Sequence, residues 1–300
     1  MTVQIPVPSH LIVVCCHAIY LGPGTDSANQ DESNWLIEPF QAGETDTYIR
    51  HIEAGVKELA RGREDAILVF SGAATKPDKT QTTEGEGYLN VAIEHDLFGL
   101  ETSPPSLRQR IFVDRYATDS YQNILCSLIQ FPVFVQQLRS RNISEGATSS
   151  PSRSQHTLPV AAAKEQESRT VRTPFPTKLT IISHSFKRSR FLELHLPALR
   201  FPLESTTYIG INPPFSPTKL EEIEEGDRLR GYGAWEKDLY GTGEGLSRKR
   251  EKRGWDGEKF RSEVLERFSD GRLRRDLKGL VCWDGGSDGM TLWQGSIPWE

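Results

Sequence analysis

Residue types able to do acid–base or anion chemistry crowd into one short stretch, Ser183-His184-Ser185-Phe186-Lys187-Arg188-Ser189-Arg190. Before it, Lys178 to Ser183 is a β-branched apolar run, the composition of a strand buried on both faces, and from Lys187 the spacing turns helical. A strand that ends in small polar residues and enters a helix aims the free N–H groups of that helix beyond the sheet edge, where an anion is stabilised. Lys187, Arg188 and Arg190 put three cations in the first turns, the end where the macrodipole disfavours positive charge. Something should compensate them. Lys187 and Arg190 are three apart and share the flank that continues as Phe191 and Leu194, so both can lean over a crevice while Arg188 points elsewhere. A bound phosphate, sulfate or carboxylate would compensate, and so would neighbouring acidic side chains or water around a solvated basic turn. His184 by itself fits a hydrogen-bonded structural histidine as well as a ligand-binding one.

The elements that must position these groups alternate along the chain. Leu11 to Ala18 reads as a first buried strand and leads into a long loop from Tyr20 to Gln41. From Thr45 to Arg61, Tyr48, Ile52, Val56 and Leu59 recur at three- and four-residue spacings, which predicts an amphipathic helix ended by Gly62. Ala66 to Phe70 is a second strand closed by Ser71-Gly72-Ala73-Ala74, and a helix from Thr82 to His95 follows with Thr82 or Thr83 as its cap and Glu84 and Glu86 in its first turn. Ile111 to Asp114 is a third strand, after which Asp119 is the candidate N-cap of a long helix carrying Asn123, Ile124, Leu128 and Phe131. Pro132 predicts a kink or break in that helix. Lys178 to Ser183 is the fourth strand, Pro197 shortens the helix after it, and Thr207 to Ile211 is a fifth.

Composition bounds the rest. Three hundred residues with 36% apolar content can bury one sizeable core. A net charge of -5 and the lack of a basic stripe argue against nucleic acid as a partner. The early apolar run is too short to span a bilayer and has no basic flank of a secretory signal, so the expectation is an intracellular, cytoplasmic chain with no membrane partner. Cys15, Cys16, Cys126 and Cys282 lack zinc or redox spacing and read as reduced residues, with no metal motif. From 142 to about 172 the composition turns to Ser, Thr, Ala, Gln and charge without apolar period, which predicts a disordered insertion. Residues 1–215 thus form the main domain, and 216–300 a charge-dense, Trp-rich C-terminal extension with helical pieces and too little contiguous apolar sequence for a core of its own.

Repeated strand–helix alternation predicts an α/β fold, an open, mostly parallel, Rossmann-like sheet with helices on both faces. Ligands of such sheets bind beyond the carboxyl ends of the strands. The residues at those ends are His17, Ser71, Gly72, Asp114, Arg115, Ser183, His184 and Lys187, joined by Glu84, Asp119, Asn123 and Arg190 from the helices that follow. The set suits a small anionic substrate held for acid–base chemistry: Glu84, Asp119 or His17 as catalytic groups, and Ser71, Gly72, Asn123, Ser183, His184, Lys187 and Arg190 as binding groups. It matches no standard triad, and no G-x-S-x-G, Walker, dinucleotide or H-E-x-x-H motif occurs. The cofactor is therefore unknown, a nucleotide-like ligand fits, and a binding or sensor module without turnover, or an interaction protein working through its Trp-rich tail, are the alternatives.

The order of these motifs resembles the YdcF-like and SanA-like proteins, the domain of unknown function 218. The resemblance is carried by LIVVCCHAIYLG at the first strand, Ser71-Gly72-Ala73 with Glu84, Ser120-Tyr121-Gln122-Asn123, and ISHSFKRSRF at the fourth strand, over Leu11 to about Leu199. Ala73 stands where that family has a second glycine, Ser120 where it has threonine, and Lys187 where it usually has histidine, with Arg190 at its arginine; the FKRSRF form resembles a fungal branch. The resemblance implies a Rossmann-like fold and an electrostatically loaded pocket, without implying a reaction.

Overall fold

Five runs of β-branched and aromatic residues become five strands of one parallel sheet: β1 (His10–Cys15), β2 (Ala66–Ser71), β3 (Ile111–Asp114), β4 (Lys178–Ser183) and β5 (Thr206–Gly210). This is a computed structural model, describing residues 7–23, 31–62, 65–100, 106–148 and 174–300, with the backbone alone for 142–148. The spatial order is β3-β2-β1-β4-β5, every neighbouring pair being parallel. The apolar runs have a simple cause. β1, β2 and β3 are buried along their whole length, so neither side of these strands can be polar.

Helices α1 (Thr45–Arg61) and α2 (Glu84–Glu94) cover one face, against Ile12, Val14, Leu68 and Phe70. Helix α3 (Ser120–Thr148) and the segment 185–198 cover the other, against Leu11, Val13, Ile67 and Ile181. Right-handed crossovers require this switch of face once the chain returns past β1 to build β4 and β5. The fold class is thus an open α/β sheet of Rossmann-like order.

Several local expectations are corrected. β1 stops at Cys15, short of Ala18, and Ile19–Tyr20 pairs instead with Trp35–Leu36 in a small antiparallel ribbon. α3 runs through Pro132 without a break. Proline in a helix costs about 3 kcal/mol, but Phe131, Val133, Phe134, Val135 and Leu138 around it are all buried, each contributing about 1.5–3 kcal/mol. Residues 142–148, expected to begin the disordered insertion, are the last turns of α3, and 149–173 lie outside the described residues. After β4 there is no regular helix: a 3-10 turn (Ser185–Lys187) leads to a π turn (Arg190–His195) and a short α turn (Leu196–Ala198). The N–H of Leu196 reaches back five residues to the Phe191 carbonyl, and Pro197 has no N–H to restore α spacing at Glu193.

The extension carries helices α4 (Pro217–Asp227), α5 (Glu244–Lys252), α6 (Gly257–Glu263) and α7 (Gly271–Val281). Ser216, Asp256 and Asp270 cap α4, α6 and α7 by accepting backbone N–H bonds. Its apolar residues build no separate core. Trp235, Tyr240, Phe260, Leu265, Leu280 and Trp299 join the cluster formed by α3 and the outer face of the sheet. Its tryptophans are buried or half-buried, and the indole N–H of Trp299 donates to the Leu199 carbonyl at 2.9 Å. Among the described residues no helix is long and apolar enough to cross a membrane.

Candidate functional site

In the strand order β3-β2-β1-β4-β5 the connections run one way from β1 and then the other, so the sheet reverses between β1 and β4. Outside the carboxyl ends at that point the loops part and leave a crevice. The residues just beyond these two strands meet there: the rings of His17 and His184 stack with centroids 4.4 Å apart. A cavity of about 460 Å³ opens over them. Its floor is the β1 and β4 ends, its sides are the starts of α2 and α3, and α4, α5 and Arg253 of the extension close it from above.

His17 is held at both nitrogens, Nε2 lying 3.2 Å from Ser183 Oγ and Nδ1 3.3 Å from Lys187 Nζ. An ammonium can only donate, so Nδ1 is the acceptor and the ring proton belongs on Nε2, directed at Ser183. Burial, then the nearby positive charges of Lys187, hold His17 well below its ordinary pKa, hence neutral. His184 is 1% exposed, sandwiched between His17 and Phe186, with His51 at its edge. Glu44 Oε2 comes within 3.4 Å of its Nε2 but out of hydrogen-bonding alignment, so neither ring nitrogen has a partner. Burial, Lys187 and Arg190 keep it neutral as well. His51 donates to the Ile211 carbonyl at 2.9 Å and fastens α1 to the end of β5.

The cations differ in how they are compensated. The Arg190 guanidinium lies over Gly231, pairs with Asp227 of α4 and donates to Ser120 Oγ at 3.4 Å. Arg250 of α5 pairs with Asp119 at 2.5 Å. Lys187, Lys249 and Arg253 have no carboxylate within ion-pair distance among the described residues; Arg253 donates to the Thr118 carbonyl, and Lys187 reaches His17 and lies over the Phe186 ring, with Glu44 acting on it from beyond that distance. Burial, then Arg190, brings the Lys187 ammonium down to about 7. Lys249 is accessible to solvent yet ringed by protein, and desolvation followed by Arg253 and Arg190 lowers it to about 8. Arg188, as expected, turns away, over the Tyr208 ring.

Beneath β2 and β3 the polar residues close on one another. Asp114 accepts from Ser71 Oγ at 2.7 Å, Gln130 Nε2 at 2.8 Å and the Tyr116 N–H at 3.0 Å. Asn123 Nδ2 donates to Ser71 at both its carbonyl and hydroxyl, 2.9 Å each. Gly72 is tight for a packing reason: a Cβ there would stand 2.7 Å from Glu84 Oε2.

Of the residues expected at the site, His17, His184, Lys187, Arg190, Glu84, Asp119 and Asn123 line the cavity, whereas Ser71, Gly72 and Ser183 lie behind that lining. Arg115 points outward to Glu86. Asp119, the expected N-cap, has one oxygen on the Gln122 N–H and the other on Arg250, so both are in use. Glu84 forms no ion pair with Lys187 or Arg190; it accepts from Thr75 Oγ1 at 2.6 Å. Burial raises its pKa, against that hydrogen bond and the charges of Arg253, Lys187 and Lys76. Sequence reasoning missed Glu44, Asp227, Lys249 and Arg253. For the last three the only signal was the charge density of 216–300, which reads equally as solvated surface, and Glu44 had none. Among the described residues no group of three His, Cys, Asp or Glu side chains is placed to hold a metal ion.

The chain is similar to an uncharacterized protein of Saccharomyces cerevisiae, YOR238W, with 25% identity over 261 residues, 81% of this chain and 82% of the yeast one. No family model matches the chain. No solved structure matches it either.

Proposed function

We propose that this protein is an intracellular enzyme, a hydrolase or transferase, acting on a small anionic substrate of phosphorylated or nucleotide-like kind, bound over the carboxyl ends of β1 and β4. One observation carries the reading: the Lys187 ammonium is set among protein atoms beside a neutral histidine and a second cation, with no carboxylate at ion-pair distance among the described residues and Glu44 acting on it only from farther off. An anion would balance it, and Arg190 would share the load. His17, with its proton aimed at Ser183 and its free pair toward Lys187, is the acid–base group nearest that seat. Glu84, on the wall above Gly72 and disposed to hold a proton, is the second. The order of motifs ties this reading to the YdcF-like group on those motifs alone. The four unpaired cysteines accord with a reducing compartment.

One arrangement favours a metabolite sensor instead: Asp119, Glu84 and His17 are all engaged by protein partners, so none of the three stands free for proton transfer. A melting-temperature screen with phosphates, nucleotides and carboxylate metabolites tests the site, followed by turnover assays on whatever binds. The expected outcome is stabilisation that Lys187→Ala removes, and turnover that Glu84→Gln or His17→Gln abolishes while binding persists. No shift with any anion would remove the basis of the reading, and binding without turnover of any bound ligand would establish the sensor.

A further inference from the structure

We propose that the ligand of this cleft carries two linked anionic groups, as a diphosphate does, one seated at Lys187 and the other at Lys249 and Arg253. This rests on the anion-binding reading given above and specifies the class of ligand.

The two seats come from different parts of the chain. Lys187 follows β4 and is fixed by His17 Nδ1 at 3.3 Å, whereas Lys249 belongs to α5 and Arg253 stands just after it, anchored on the Thr118 carbonyl at 2.8 Å. All three line the same cavity, and Lys249 is close enough to depress the protonation of Lys187. Two neighbouring guanidiniums are already compensated, Arg190 in the lining by Asp227 and Arg250 behind it by Asp119. Among the described residues the lining cations left without an ion-paired carboxylate are Lys187 at the inner seat, Lys249 and Arg253 at the outer, and Lys219 and Arg230 farther along the roof. A single small anion would settle one seat and leave the repulsion at the other. Two linked anionic groups settle both at once, and each phosphoryl group adds acceptor oxygens. The inner seat has a donor to match: His184 is 1% exposed, lines the cavity and is hydrogen-bonded at neither nitrogen, Glu44 standing 3.4 Å from Nε2 out of alignment, so its N–H is available to a ligand oxygen. At about 460 Å³ the cavity also leaves room beyond two phosphoryl groups, and Phe40 at its mouth is 75% exposed.

Titration calorimetry on the full chain with inorganic phosphate, pyrophosphate and methylenediphosphonate tests this. The expected result is that both two-headed anions bind about tenfold or more tighter than phosphate. Lys249→Ala should remove most of that advantage while changing phosphate affinity by less than about twofold. Lys249 is solvent-accessible and has no hydrogen-bond partner to lose, and Lys249→Gln, with the same expectation, serves if the alanine variant is poorly behaved. Equal affinity for phosphate and pyrophosphate, or a Lys249 variant that weakens both alike, would overturn the two-seat proposal and leave a single anion site standing. Binding of neither anion would overturn the anion site itself.

Discussion

Two buried polar clusters sit side by side at the carboxyl edge of one sheet, and they differ in how far their hydrogen bonds close. Beneath β2 and β3, Ser71, Asp114, Asn123 and Gln130 satisfy each other, and the Asp114 carboxylate receives three donors. Beneath β1 and β4, neither His184 nitrogen is hydrogen-bonded, the Arg190 Nε is unpartnered, and Lys187 has no carboxylate at ion-pair distance among the described residues. A closed network gains from low dielectric, and an open one loses by it. The first cluster therefore has the character of structure, fixing β2 against β3 and α3. The second keeps donors and charges in reserve, as a binding site must.

The sharpest way to break this contrast is to open the closed cluster. Asp114→Ala takes the acceptor from three donors in a fully buried place, of which Gln130 Nε2 and Ser71 Oγ keep longer bonds to the Cys126 and Asn123 carbonyls, and at about 1–3 kcal/mol for each unsatisfied group the expected loss is about 3 kcal/mol in urea unfolding. A loss under about 1 kcal/mol would mean the network is not structural. The open cluster should respond with the opposite sign. Lys187→Met removes a desolvated charge beside Arg190, so the ligand-free protein should gain about 1–3 kcal/mol while losing anion binding. A destabilised Lys187→Met protein would place Lys187 with the structural groups.

The smallest expected effect is on pH dependence. Folded Lys187 releases its proton near 7, against 10.5 for the free side chain, so between those values the unfolded chain binds more protons and the stability contribution rises with pH. Below 7 the penalty is present in full. An anion needs the ammonium, so ligand binding at pH 8 should take up protons, and affinity should fall as pH climbs beyond that. Calorimetry in two buffers of different ionisation heat measures the uptake. Zero uptake at pH 8, or no change in the pH slope with Lys187→Met, would detach the ammonium from binding.

The sheet was legible because its strands are buried on both faces and so cannot avoid being apolar runs, as in Leu11 to Cys15 and Ala66 to Phe70. His17, His184 and Lys187 were legible from their place just beyond such runs. Whether a polar residue there is spent or available was not, because that depends on distant partners. Ser71 and Asn123 are equally polar in sequence, yet they saturate each other across 52 residues. The roof was hidden for a related reason. Lys249 and Arg253 lie in a charge-dense helix with no apolar signature, and only the burial of Trp235 and Phe260 in the shared core brings that segment over the crevice. Pro132 misled because local propensity was outweighed by the burial of its neighbours.

The π turn at Arg190–His195 places a constraint on chain length. Such a turn spends about five residues on a rotation that an α turn completes in about four, so it holds one residue more than an α-helix would without changing how the segments on either side are turned. Lys187 and Arg190 lie at or before that joint, while Leu196 and Leu199 beyond it are locked in the core. Loss of one codon within 191–194 can therefore be taken up by rewinding as α-helix with both cations still facing the crevice, whereas the gain of one has no wider turn to absorb it and would swing Lys187 and Arg190 away by about 100° with every side chain of the site still present.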